Sequence, residues 1–201
     1  MSLETTKALD GRTRRRERNA AQLYEAASEL LATHAFDELA VDDICARAGV
    51  GRATFFRIFD TKAGLLREFN RRLAADAAAR IADAGDADLG TILGHIRAAI
   101  YDGWRPAGAG HLRMAEEFVR AAPSSDPHSA HPELLGLVVD AISRAVESGD
   151  LPDAVPVDLA ASLALINIIA PMSYVLARQA VDVDRLSQLL LEQWLRGMGY
   201  T

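Results

Sequence analysis

The 201-residue sequence has a single cysteine, Cys45, and few aromatic residues, which make up 6% of the chain. One cysteine excludes a disulfide within the chain and gives no metal-ligand spacing, so we expect a reducing, cytoplasmic setting. The first residues lack the apolar core of a signal peptide. Glycine-rich phosphate loops, nucleophile elbows and paired-carboxylate motifs are also missing. The sequence therefore predicts no catalysis, no cofactor and no bound metal.

An excess of positive charge is missing as well, because the formal net charge is -6. The imbalance lies entirely in the second part of the chain. Residues 1–62 carry 10 Lys/Arg and 10 Asp/Glu, whereas residues 63–201 carry 12 and 18. Within the neutral part, the segment "GRTRRRERNA" holds five arginines and one glutamate. This local positive charge either contacts an anionic partner or is a solvated tail.

The longest stretch without charge, Leu159 to Ala177, has 19 residues. This length is close to the roughly 20 apolar residues that span a bilayer. However, the stretch contains Asn167 and Pro171, and no cluster of Lys or Arg flanks it. We therefore expect a helix buried on most of its faces against other helices, and no membrane partner.

Helical periodicity dominates the chain, and alternating apolar patterns typical of strands are not found. Ala20, Leu23 and Ala27, for example, share one stripe. The pattern predicts an all-α fold of about nine helices. They are Arg14–His34, Val41–Ala48, Arg52–Ile58, a fourth helix capped by Asp60 or Thr61, Asp88–Gly103, Gly110–Ala121, Pro132–Ser148, Val157–Arg178 and Asp182–Gly197.

The second and third helices are short. The segment "GVGRATFFRIF", residues 49–59, contains the turn between them and the third helix itself. Gly49 suits the positive φ of a tight turn, and Val50 supplies an apolar plug behind it. Phe55 and Phe59, four residues apart, anchor one face of the third helix to a core. An acidic helix, a glycine turn and a basic helix indicate a helix-turn-helix, and an ordinary helical hairpin is the alternative.

The opposite face of the third helix carries side chains suited to DNA. Arg52 can donate two hydrogen bonds to guanine, and Ala53 and the Thr54 methyl can contact a thymine methyl. Arg57 or Lys62 can neutralise phosphates. We therefore expect this face to bind a double-stranded DNA operator.

Residues 14–69, above all "FDELAVDDICARAGVGRATFFRIFDTKAGLL", resemble the DNA-binding domain of the tetracycline-repressor (TetR) family of bacterial transcriptional regulators. The resemblance implies a ligand-responsive homodimer, usually a repressor released from a pseudo-palindromic operator. It also implies a DNA-binding domain over residues 1–62 and a ligand-binding and dimerisation domain over residues 63–201. The last two helices of such proteins pair with those of the partner, which places Leu163, Ile166, Tyr174, Leu186, Leu190 and Trp194 at the dimer interface.

Three positions depart from the usual family pattern, since Ala40, Gly51 and Phe56 stand where family members commonly have a hydroxyl-bearing residue. Phe56 replaces a tyrosine that commonly contacts phosphate, and we still place it at the DNA. More of the backbone contact should then fall to Arg57, Lys62 and the arginines near the N-terminus, and these N-terminal arginines act as a basic arm. These are Arg12, Arg14, Arg15 and Arg16.

The effector is expected to be small and mainly apolar, because no Arg or Lys lies within the apolar faces of the second part. The candidate contacts are large or polar residues on otherwise apolar faces, and core or interface roles remain open for each of them. They are His95, Tyr101, Trp104, His111, Met114, Phe118, Asn167 and Met172. The pair His128 and His131 is interpreted as exposed loop histidines rather than a metal site. The alternative function is a helical small-molecule sensor or interaction module with little DNA affinity.

Overall fold

The computed structural model describes the backbone of residues 3–104, 113, 114, 116, 117, 120, 130–178 and 182–200. Side chains are described for the same residues except 3–10, 104 and 172–178. Over this part the chain forms eight α-helices and no strand, which confirms the all-α fold class. The helices are α1 (Leu3–Leu31), α2 (Val41–Ala48), α3 (Arg52–Phe59), α4 (Gly64–Ala84), α5 (Leu89–Trp104), α6 (Pro132–Ser148), α7 (Val157–Arg178) and α8 (Val183–Gly197). Most of the predicted helix Gly110–Ala121 lies outside the described residues.

The described residues group into two compact units. The first contains those up to Phe69 and those of segment 106–117, and the second contains the remainder. Helix α4 begins in the first unit and ends in the second. The boundary between the two units thus lies inside α4, a few residues after the domain boundary expected at Lys62.

The core of the first unit is built by α1, α2 and α3, which contact one another. Leu23, Ile44 and Phe55, one from each helix, are fully buried. Their spacing along each helix places the apolar residues on a single face, and packing these faces together removes them from water. The ring centroids of Phe55 and Phe59 lie 5.2 Å apart in an edge-to-face arrangement, a geometry that aromatic pairs favour.

The turn between α2 and α3 depends on Gly49, whose φ of 65° lies in the left-handed region. A residue without Cβ adopts this conformation without steric cost. Val50 follows it, is buried, and donates its backbone N–H to the carbonyl of Cys45 at 3.1 Å. The predicted turn and its apolar plug are both present.

The junction between α3 and α4 differs from the prediction. Asp60 ends α3 with a positive φ of 64° instead of opening the next helix. Helix α4 begins at Gly64, so neither Asp60 nor Thr61 directly precedes it. A Cβ at Gly64 would lie 2.0 Å from the backbone oxygen of Phe59, and the close approach of α3 and α4 therefore requires glycine.

In the second unit, α7 contacts α6 and α8, and α5 also packs on both α6 and α8. Ile96, Ile142 and Leu165 lie fully buried in its core. Arg97 of α5 forms an ion pair with Asp184 at the start of α8, and its guanidinium lies 5.5 Å from the ring centroid of Tyr101. The ion pair therefore links α5 to the start of α8.

Helix α7 contains the long charge-free stretch, and its two faces differ. Ala161 and Leu165 are fully buried, whereas Leu159 and Leu163 are exposed over 51% and 40% of their surface. The expected burial on most faces is therefore incomplete over the part of α7 whose side chains are described. Among the helices described, none is long and apolar enough to cross a bilayer.

Candidate nucleic-acid interface and effector region

The outward face of α3 brings together most of the predicted DNA-contacting residues. Arg52, Ala53, Phe56 and Arg57 are exposed and Thr54 is partly exposed, while the alternate face of the helix is buried. The Nη2 atom of Arg57 donates a long hydrogen bond to Thr54 Oγ1 at 3.5 Å, and the Arg57 side chain stays exposed. This arrangement is a basic surface on the second helix of a helix-turn-helix.

Arg52 has two neighbours that hold its side chain. Its Nη1 donates a hydrogen bond to Oδ1 of Asp42, the second residue of α2, and the two side chains form an ion pair. Its Cζ atom also lies 5.1 Å from the ring centroid of Phe56, within the range of a cation–π interaction. The guanidinium is thereby placed between a carboxylate and an aromatic ring.

Two of the positions without a hydroxyl-bearing residue lie at the N-termini of α2 and α3. Ala40 and Gly51 occupy the N-cap positions of α2 and α3, and neither makes a side-chain capping hydrogen bond. A capping hydroxyl at such a position contributes about 1 kcal/mol. Both helices therefore depend on packing and on backbone hydrogen bonds for their stability.

Lys62 makes more contacts within the protein than the sequence indicated. Its ammonium donates to the backbone oxygens of Phe36, Asp37 and Leu39, at 2.8, 3.2 and 3.1 Å. It also lies 4.9 Å from the ring centroid of Phe36. The three carbonyls match the three donors of an ammonium group, so Lys62 fixes the loop between α1 and α2. Its predicted phosphate contact stays a prediction.

The N-terminal arginines lie on a helix rather than on a separate arm. Helix α1 runs without interruption from Leu3 to Leu31 and includes Arg12, Arg14, Arg15 and Arg16, all of which are exposed. Their predicted role at phosphates remains a prediction.

A second ion pair was not anticipated from the sequence. The guanidinium of Arg47 on α2 contacts Glu29 of α1, with Nη2 at 2.6 Å from Oε2. Together with the loop contacts of Lys62, this pair ties α2 to α1. No local pattern signals it, because the two residues lie 18 positions apart.

Of the eight predicted effector residues, four have described side chains, and these four belong to different units. Met114 is fully buried and belongs to the first unit, whereas His95 is half-buried on α5. The amide of Asn167 donates to the backbone oxygen of Leu163 at 2.8 Å, which satisfies that donor within α7. His111 and Phe118, and the side chains of Trp104 and Met172, lie outside the described part of the chain.

Tyr101 is the predicted effector residue with the clearest environment in the second unit. It is 7% exposed, and its hydroxyl donates to the backbone oxygen of Ile168 at 3.3 Å. Burial raises the pKa of Tyr101 to about 12, so it is a neutral donor at neutral pH. The fully buried Ser187 of α8 also lies close to the carbonyl of Ile168, at 3.5 Å.

The prediction of an exposed loop histidine is wrong for His131. It is 7% exposed, and its Nδ1–H donates to Oδ1 of Asn70 at 2.7 Å. The amide of Asn70 donates in turn to Glu133, with Nδ2 and Oε2 3.4 Å apart. Removal from water lowers the pKa of His131 to about 4. The sequence pattern missed this site because Asn70 lies 61 positions away; His128 is outside the described residues.

An open groove of about 370 Å³ lies in the second unit, between the α4–α5 turn and the end of α6. Asp86, Asp88, Arg144 and Asp150 contribute its polar lining, and no predicted effector residue lines it. Within the described part of the chain, no group of three or more His, Cys, Asp or Glu residues is arranged to hold a metal ion.

The residues predicted at the dimer interface fall into two groups. Leu163 is exposed, and Ile166, Leu186 and Leu190 are partly exposed on α7 and α8. Trp194, in contrast, is 9% exposed in the single chain, and its indole nitrogen has no hydrogen-bond partner among the described residues. The side chain of Tyr174 is not among those described.

Residues 23–69 match the family model described as bacterial regulatory proteins, tetR family. No curated protein matches the sequence. Among solved structures, the transcriptional regulator FadR from Bacillus subtilis in complex with stearoyl-CoA is similar at 18% identity and a TM-score of 0.61, over 88% of this chain and 98% of that one. The fatty acid degradation regulator FadR from Bacillus halodurans is similar at 15% identity and a TM-score of 0.66, over 91% and 97%.

A bacterial regulatory protein in the tetR family from Rhodococcus RHA1 is similar at 18% identity and a TM-score of 0.56, over 91% of this chain and 98% of that one. At these identities the similarity concerns the fold. Together with the family match of the N-terminal residues, it confirms the resemblance noted from the sequence.

Proposed function

We propose that this chain, which carries a TetR-family DNA-binding domain at residues 23–69, is a ligand-responsive transcriptional regulator that acts as a cytoplasmic homodimer. In its simplest form it is a repressor released from a pseudo-palindromic operator by a small, mainly apolar molecule. The observation that carries the proposal is α3 itself, which exposes Arg52 and Arg57 while Phe55 and Phe59 anchor it to the core.

In this proposal α3 enters the major groove and reads base edges. Arg52 contacts a guanine, and Ala53 and Thr54 contact thymine methyls. Arg57, together with Arg14 and Arg15 of α1, contacts phosphates. Two copies of α3 in a dimer would lie one DNA turn apart, roughly 34–36 Å.

The homodimer is supported by the apolar residues that α7 and α8 leave in contact with water. Leu159, Leu163 and Leu189 are exposed over 51%, 40% and 49% of their surface. Large exposed apolar groups on adjacent helices are typical of interaction surfaces. Pairing the same two helices from each copy would bury these groups in a self-complementary interface.

The effector is proposed to bind the second unit and to favour a conformation with lower DNA affinity. An apolar ligand is supported by the apolar faces of α5 and α7, where the hydroxyl of Tyr101 already donates to the backbone oxygen of Ile168. The stearoyl-CoA complex of the Bacillus subtilis FadR supports a ligand with a long apolar part, since that protein shares the fold.

The test is selection of operators from a random duplex pool, followed by gel-shift titration at several salt concentrations. We expect Arg57→Ala to lower operator affinity about tenfold and to reduce the salt slope by about 1, because one phosphate contact is lost. Arg144→Ala is the matched control. It removes an exposed arginine of the second unit, and affinity should not change.

A wild-type protein that shifts no duplex at low salt would contradict the proposal. The alternative, a helical sensor or interaction module with little DNA affinity, would then be favoured. The absence of capping hydroxyls at Ala40 and Gly51 is the observation that supports this alternative.

A further inference from the structure

We propose that Asp42 is a positioning residue that gives the recognition helix its sequence specificity. It holds the guanidinium of Arg52 for base reading and offsets the charge that would otherwise draw this side chain to phosphates. The inference rests on the proposed DNA-binding function and adds to it a residue on α2, outside the recognition helix.

Two contacts restrict the position of the Arg52 guanidinium. The contact from Nη1 to Asp42 Oδ1 sets the position of one end. The ring of Phe56, one turn along α3, lies beneath the group with its centroid 5.1 Å from Cζ. Two contacts from different directions restrict a side chain that otherwise has many rotamers, and part of the entropy lost on binding DNA is thus already lost.

The two contacts leave donors available. A guanidinium has five N–H groups in a planar fork, and the carboxylate of Asp42 takes one at Nη1. The donors on the remaining atoms are enough for the two parallel hydrogen bonds that recognise O6 and N7 of guanine. Arg52 can therefore bind Asp42 and a base at the same time.

The carboxylate of Asp42 also weakens the electrostatic attraction between Arg52 and the phosphates of DNA. An unpaired arginine is attracted to every phosphate, and this attraction is the main source of binding without sequence preference. With Asp42 beside it, the net charge at this position is close to zero, whereas directional hydrogen bonds to a base are retained. The side chains of the pair are 58% and 71% exposed, and such surface pairs contribute little to folding stability. We therefore expect the Asp42–Arg52 pair to affect the DNA sequence preference of α3 and to have little effect on the stability of the fold.

Phe56 also helps to hold the guanidinium of Arg52. Phe56 is 38% exposed on the helix proposed to face DNA. It cannot donate a hydrogen bond to a phosphate, because it has no hydroxyl. As a platform for Arg52, however, the ring needs only its face. The departure from the tyrosine common in the family then leaves the cation–π contact intact.

The experiment compares Asp42→Asn with the wild-type protein, using fluorescence anisotropy with the selected operator and with a random duplex of equal length. We expect the random duplex to bind about fivefold more tightly, with a salt slope steeper by about 0.9, because Arg52 becomes available to one phosphate. The ratio of operator to random affinity should fall about tenfold, since the guanidinium is no longer held for bidentate base contact.

Asp43→Asn is the matched control, because it removes the same charge from the same exposed first turn of α2. The specificity ratio of this variant should stay within about twofold of wild type, since general screening by a nearby charge acts on both duplexes alike. Phe56→Leu should lower the ratio, and Phe56→Tyr, which keeps the ring face, should retain it. Circular dichroism verifies the fold of each variant.

Equal effects of Asp42→Asn and Asp43→Asn on the ratio would overturn the inference, because only the total charge would then matter. An unchanged ratio in Asp42→Asn would overturn it as well and would leave the proposed function standing. A wild-type protein that binds neither duplex would overturn the proposed function and this inference with it.

Discussion

Lowering the pH from 7 to 5 is expected to destabilise the protein through one buried imidazole, that of His131. Its pKa in the folded protein is lowered to about 4, from an ordinary value of 6.5, because burial disfavours the charged form. The unfolded chain therefore binds a proton below about pH 6.5 that the folded chain does not bind until about pH 4. The stabilising contribution is complete above pH 6.5 and is lost as the pH falls toward 4.

The magnitude follows from the two pKa values. A shift of one unit corresponds to about 1.4 kcal/mol, so the whole shift corresponds to roughly 3 kcal/mol. At pH 5 the imidazole is mostly protonated in the unfolded form and mostly neutral in the folded form, so about 2 kcal/mol of the free energy of unfolding should be lost between pH 7 and pH 5. Stopping at pH 5 keeps most carboxylates charged, which limits their contribution to the change.

The assay is urea unfolding followed by circular dichroism at pH 7, 6 and 5, for the wild type and two variants. His131→Asn keeps a donor that can reach Asn70 but cannot take up a proton, so its stability should change with pH by about 2 kcal/mol less than that of the wild type. His131→Leu should show the same weak pH dependence from a lower starting stability, since Oδ1 of Asn70 loses the donor at His131. If the wild type and both variants lose the same stability between pH 7 and pH 5, the reasoning from burial is refuted.

Two further predictions concern Lys62 and the apolar surface of α7. Lys62→Met should lower the free energy of unfolding by about 2 kcal/mol in thermal denaturation, because three backbone carbonyls lose a charged donor; unchanged stability together with a salt slope reduced by about 1 would instead support its predicted phosphate contact. Leu163→Glu should convert the proposed dimer to a monomer in size-exclusion chromatography with light scattering, whereas Arg144→Glu at an exposed position on α6 should leave it a dimer. A wild-type monomer at micromolar concentration would contradict the interface on α7 and α8.

Most of the helices could be predicted from the sequence because helix formation depends on neighbours three and four positions apart. The bounds Pro132–Ser148 and Val157–Arg178 are those that the periodicity indicated. The start of α4 could not be predicted, since Asp60 and Thr61 are both good cap residues but the chain between α3 and α4 closes around Gly64. Cap preference was outweighed there by the close approach of two backbones.

The exposed face of α3 was also evident from local spacing. Phe55 and Phe59 are buried, and Arg52, Ala53, Phe56 and Arg57 are left exposed on the other side of the helix. In contrast, the partner of Arg52 could not be predicted. Asp42 lies on another helix, ten positions away, and several other acidic residues of the first unit were equally available to the sequence.

The sequence by itself determined the helical fold, the turn at Gly49 and the exposure of the basic face of α3, because each depends on chemistry within a few residues. Tertiary structure alone decided that Lys62 serves the α1–α2 loop, that His131 is buried against Asn70, and that Arg52 lies between Asp42 and Phe56. The physical reason is that a charged or polar side chain has many possible partners in an unfolded chain. Only the packing of helices distant in sequence brings one of them within hydrogen-bond distance.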